Sequence, residues 1–90
     1  MALLDLLGRR WALRVIWELR GDPLSFRELQ QRCGGVSSSV LNDRVAELRE
    51  AGALEQSDRG YRLTDEGVLL LDAYPPLHAW ADRWARRVGA

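Results

Sequence analysis

The apolar positions of the chain fall into blocks whose spacing changes from one segment to the next. Leu3, Leu4, Leu6 and Leu7 crowd a short helical segment that Gly8 stops, glycine being costly inside a helix and common at its end. Between Arg9 and Arg20, Ala12, Val15, Ile16 and Leu19 recur at intervals of three and four, which predicts a core helix ended by Gly21-Asp22-Pro23. A start signal follows. Ser25 can cap the first turn, Glu28 can reach back to it, and Leu24 and Leu29 occupy the two positions of a hydrophobic staple, so a helix is expected from Phe26 to about Cys33. Gly34-Gly35 breaks it, and Ser37, Ser38 and Ser39 offer N-caps for the next helix. There Leu41, Val45 and Leu48 make the inward stripe, which leaves Ser39, Asn42, Asp43, Ala46 and Arg49 off it.

After Ala51-Gly52 the helical period stops. Leu54-Glu55-Gln56-Ser57 and Tyr61-Arg62-Leu63 flank Asp58-Arg59-Gly60 as two short strands around a turn. Thr64 then caps a helix with Asp65 and Glu66 in its first turn, expected to run to about Tyr74, where Pro75-Pro76 interrupts it. A last helix from about Leu77 carries Leu77, Trp80, Ala81, Trp84 and Val88 along one face. Two helices joined by a glycine turn and followed directly by a hairpin predict a winged helix-turn-helix, mainly α with a small β-hairpin. The expected organisation is a single domain over 1–90: N-terminal helices in 1–20, helix-turn-helix in 24–52, wing in 54–63, and C-terminal dimerisation helices in 64–90.

Composition narrows the function. Ninety residues, 47% of them apolar and 29% charged, suit one folded core and exclude wholesale disorder. No apolar run approaches the roughly 20 residues of a membrane span, and Met1 to Leu7 lacks a basic leader, so a cytoplasmic protein without membrane contact is expected. Cys33 is the sole cysteine and His78 the sole histidine, which leaves no disulfide and no ligand cluster for zinc. Cys33 is expected to be a small buried hydrophobe. Neither a nucleophile elbow nor a phosphate loop occurs, so no enzyme, metal or cofactor is expected. Net charge is zero, which weighs against a basic nucleic-acid binder. The distribution softens this, because Arg9 to Arg62 contains ten arginines against eight acids.

A helix in the major groove reads base edges with its N-terminal half, which singles out Ser37, Ser38, Ser39, Asn42 and Asp43. Asn42 can pair with adenine, Ser39 can reach a base or a phosphate, and Asp43 can accept from cytosine while repelling phosphate. Arg44 and Arg49 are expected at phosphates, Arg44 being the favoured of the two, together with Arg27, Arg59 and Arg62. The serines can equally be helix caps alone, and the lesser alternative for Arg44 and Arg49 is surface pairing with Glu47, Glu50 or Asp43. The aromatic stripe is too large for ninety residues to bury alone. A two-fold interface from Leu3, Leu4 and Leu7 with Leu77, Trp80, Trp84 and Val88 would absorb it.

The ordered set Leu6-Leu7-Gly8-Arg9-Arg10-Trp11, Leu19-Arg20 and Phe26-Arg27-Glu28-Leu29 resembles the start of HxlR-type winged-helix regulators, within the MarR-like superfamily. Val36-Ser37, Val40-Leu41, Arg44-Val45, Glu47-Leu48, Ala51-Gly52, Leu54, Tyr61-Arg62-Leu63-Thr64 and Gly67 continue it. The resemblance implies a homodimer on double-stranded DNA, with terminal helices at the interface, regulating nearby genes and often answering a small reactive effector. Two departures stand out. Family members commonly carry a cysteine just before the first helix, whereas the cysteine here is Cys33, so redox sensing is not carried over. The wing turn is also short, with only Asp58-Arg59-Gly60 between the strands, so wing contacts with DNA are not carried over from the resemblance. The leading expectation is a repressor that binds its operator. A winged-helix protein-interaction module and a small-molecule sensor without DNA binding are the alternatives.

Overall fold

The computed structural model describes residues 2–89, with side chains from Asp5 onward. Among the described residues six helices and one hairpin succeed one another: α1 (Ala2–Leu7), α2 (Ala12–Glu18), α3 (Phe26–Arg32), α4 (Ser38–Glu50), β1 (Leu54–Ser57), β2 (Gly60–Leu63), α5 (Asp65–Leu71) and α6 (Tyr74–Arg87). The stripes legible in the sequence become the core. Val15, Ile16 and Leu19 meet Leu29 and Cys33 from the following helix and Leu41, Val45 and Leu48 from α4, all buried. The staple leucines Leu24 and Leu29 join the same cluster.

Helix α2 begins at Ala12, the first residue of its apolar stripe, and not at Arg9. Trp11 precedes it with φ of 77°, a left-handed backbone that a bulky side chain adopts only under constraint. Its ring packs against the core, and the Arg10 guanidinium lies 5.7 Å from the ring centroid. The Arg9 to Trp11 segment is therefore a turn, closed by the Ala12 N–H on the Arg9 carbonyl at 3.2 Å.

The hairpin is antiparallel, with Leu54 opposite Leu63 and Ser57 opposite Gly60, so Gly60 belongs to β2 and Asp58-Arg59 alone make the turn. A third segment joins it. Leu24 bridges Tyr61, its N–H reaching the Tyr61 carbonyl at 3.0 Å while the Tyr61 N–H reaches the Leu24 carbonyl at 2.8 Å. The wing is thereby tied to the residue that leads into α3.

At the C-terminal end the prolines do not interrupt a helix as expected. Helix α5 ends at Leu71, and α6 starts at Tyr74 with Pro75 and Pro76 inside its first turn. Amide hydrogens of a first turn have no partner in their own helix, so proline is tolerated there and favours initiation. Tyr74 is buried beneath this turn, and its hydroxyl donates to the Leu13 carbonyl at 2.6 Å. Burial pushes its pKa up from 10.0 to about 12. The folded state thus holds the phenolic proton more tightly than the unfolded chain does. The stability this contributes is whole below pH 10 and is lost as pH rises through about 12. Urea midpoints measured across that window should fall for the natural chain, and Tyr74→Phe should lose less over the same window. Equal losses would mean that the phenol ionises as freely in the fold as outside it.

Candidate nucleic-acid interface

Helices α3 and α4 and the wing form the part of the domain in which the sequence places its polar chemistry. Helix α3 opens on a full capping box: the Ser25 hydroxyl accepts from the Glu28 N–H at 3.1 Å, and the Glu28 carboxylate accepts from the Ser25 N–H at 2.9 Å. That backbone donor holds the Glu28 carboxyl below the usual range. Gly34 and Gly35 both take left-handed backbone, at φ of 77° and 79°, and the two N–H groups close back on Gln31 and Gln30. The turn is then stapled from inside. The Gln30 amide donates to the Val36 carbonyl at 2.8 Å and to the Ser38 hydroxyl at 3.2 Å.

The serines divide between two roles. Ser37 is the N-cap of α4, its hydroxyl accepting from the Val40 N–H at 3.3 Å, and Ser38 is engaged by Gln30. Ser39 is exposed, as are Asn42, Asp43, Ala46, Arg49 and Glu50. Ser39, Asp43, Ala46 and Glu50 follow at spacings of four, three and four, which puts them on one outward line, with Asn42 and Arg49 flanking it. Helix α4 therefore presents two polar side chains able to read a base edge, Ser39 and Asn42, beside a line that also carries two carboxylates.

The arginines are less uniform than the sequence suggests. Arg27, Arg49 and Arg59 are exposed. Arg44, the favoured phosphate contact, is turned inward instead: its side chain is 12% exposed and reaches the Glu47 carboxylate at 3.0 Å. Its Nε is buried with no hydrogen-bond partner among the described residues. Arg44 follows Leu41 by three residues and lies next to Val45 on the flank of the core stripe, and Glu47 one turn on captures the guanidinium that emerges there. The same Glu47 receives Arg9 at 3.8 Å, joining α4 to the turn before α2. Arg62 remains exposed but stands opposite Glu55 in the hairpin register and pairs with it at 3.5 Å.

Two contacts escaped the sequence reading. Gln30 carries a weak signal, as an amide one turn before a glycine break, whereas the Leu24 to Tyr61 bridge carries none, because a single-residue pairing has no periodicity to detect. Cys33 is buried at the end of α3, where desolvation pushes its thiol pKa up and away from the reactive thiolate. On the proposed interface face, Leu77, Trp80, Trp84 and Val88 are all more than half exposed. Leu7 is partly buried against the core of its own chain, and the side chains of Leu3 and Leu4 lie outside the described residues. Among the described residues no helix is long and apolar enough to cross a membrane.

Comparison with known proteins agrees with the fold. A family model described as HxlR-like helix-turn-helix matches residues 6–88. The chain is 29% identical over 87 residues to the HTH-type transcriptional regulator YodB of Bacillus subtilis strain 168, across 89% of this chain and 78% of that protein. The crystal structure of quinone-bound YodB superposes with a TM-score of 0.85 at 30% identity, covering 91% of this chain and 93% of that one. A structure described as a possible HxlR family transcriptional factor from Thermoplasma volcanium GSS1 gives a TM-score of 0.81 at 25% identity, covering 93% and 82%.

Proposed function

Because the chain belongs to the HxlR-like helix-turn-helix family of transcriptional regulators, we propose that it is a repressor binding its operator as a cytoplasmic homodimer. It is a regulator and not an enzyme, as its relatives are. The observation that carries the proposal is the division of α4: Leu41, Val45 and Leu48 are buried while Ser39, Asn42 and Arg49 stand exposed. A helix held by its inner stripe and polar outside is the shape that a major groove admits. Asn42 and Ser39 meet base edges in this reading, and Asp43 selects cytosine on one strand. Arg27, Arg49 and Arg59 meet phosphates. Arg44 is given no phosphate, since Glu47 already holds its charge.

Dimerisation is supported by the exposed stripe of α6, and by likeness to YodB, which binds a quinone, the dimer answers a small molecule. With Cys33 buried and the only cysteine of the chain, an effector would bind here without a thiol adduct.

Duplex DNA from upstream of the gene itself is the probe for the test. Affinity should fall linearly with salt on logarithmic axes as phosphate counterions are released. Asn42→Ala should lose discrimination at one base position by about 1–3 kcal/mol, whereas Arg49→Ala should weaken all sequences alike. Binding that ignores both salt and sequence would sink the operator reading.

A further inference from the structure

Helix α6 is attached to the domain at one end. Of its 14 residues Tyr74 alone is buried, and beyond it only Ala85 is even half-buried. The molecule is correspondingly elongated, 45 Å against 27 and 26 Å. The attachment is a small aromatic assembly under the first turn. The Trp17 ring of α2 stacks on Tyr74 with centroids 6.0 Å apart and planes 12° from parallel. The Arg20 guanidinium lies over Trp17 at 4.0 Å and also donates to the Trp17 carbonyl at 3.0 Å, which fixes that ring in turn. His78, one turn along α6, lies tilted at 6.4 Å from both rings, and the Tyr74 hydroxyl holds the Leu13 carbonyl. Trp17 itself remains 38% exposed.

We propose that Trp17 and Tyr74 are positioning residues that set the angle at which α6 leaves the domain and thereby the separation of the two α4 helices in the dimer. The proposal rests on the homodimer reading above. Leverage gives it force. A helix of this length reaches about 20 Å, so a swing of roughly 10° at the first turn moves the far end by about 3.5 Å. That is close to the rise of one base pair, about 3.4 Å, and DNA half-sites are selected by spacing. Trp17 and Tyr74 touch no base, and still decide which half-site spacing the dimer fits.

The separation can be read without DNA. Since Cys33 is buried, Ser39→Cys gives one reactive thiol on each α4, and a nitroxide there reports the distance between protomers by pulsed dipolar spectroscopy. The labelled protein should give one narrow distance peak. Adding Trp17→Ala should widen that peak at least twofold at unchanged dimer mass, and Trp17→Phe, which restores a ring, should narrow it again. Equal widths in all three proteins would overturn the proposal and leave the dimer standing. A monomeric mass with no dipolar coupling in the protein carrying Ser39→Cys alone would overturn the dimer reading, and the proposal with it.

Discussion

Gly60→Ala should destabilise the domain by on the order of 3–5 kcal/mol, a loss that few single methyl groups can cause. A Cβ built on Gly60 would stand 2.4 Å from the Leu24 carbonyl oxygen and 2.8 Å from the Ser25 nitrogen, both of them backbone atoms that cannot rotate aside. The residue also sits at φ of 122°, where a side chain adds strain of about 1–3 kcal/mol. Relief requires β2 to move away from Leu24, and the two bridge hydrogen bonds of about 1 kcal/mol each go with it. For a domain of this size each kcal/mol is worth about 4–8 °C, so Tm should drop by at least about 12 °C. Gly21→Ala is the natural control, because a Cβ there meets nothing within 4 Å and the backbone is not left-handed. A thermal melt that places both variants within a few degrees of the natural chain would show that the wing yields without cost.

The second large effect concerns assembly. Trp80 and Trp84 stack on each other with centroids 6.2 Å apart, and they are 56% and 51% exposed. Trp84→Glu leaves every core contact in place, so far-ultraviolet circular dichroism should be unchanged. In a two-fold interface the substitution acts twice, bringing two carboxylates into an apolar contact. The mass by light scattering should halve at micromolar concentration. Operator affinity should then fall by about 10²–10⁴-fold, the advantage that two linked reading heads hold over one. A variant that remains dimeric with full affinity would place the interface elsewhere on the molecule.

How much of this was legible in the sequence depends on the range of the interaction. Capping, staple and stripe are local patterns, so Ser25 with Glu28 and Leu41 with Val45 and Leu48 announced α3 and α4. The hairpin alternation likewise survived, apart from the assignment of Gly60 to a strand. What failed depended on distant partners. Trp11 adopts its left-handed backbone where its ring meets a core assembled from other helices, and no local signal separates such a turn from the start of a helix. Proline disrupts helix interiors, so Pro75-Pro76 predicts a break, yet the break at Asp72-Ala73 makes those positions a first turn. Residue type alone predicts a phosphate contact for Arg44, whereas its place at the edge of the core stripe, with Glu47 one turn on, turns it inward.

The carboxylates on the outward line of α4 bear on how such a regulator finds its site. Asp43 and Glu50 face the surroundings beside Asn42 and Arg49, on a chain with no net charge. Attraction to arbitrary duplex comes almost wholly from unopposed cations, so under the proposed operator binding these two acids lower the protein's residence on the bulk of a genome. Wrong sites compete by number, and weakening each of them leaves more molecules free to search. A cell could then keep one operator occupied with few copies of the protein.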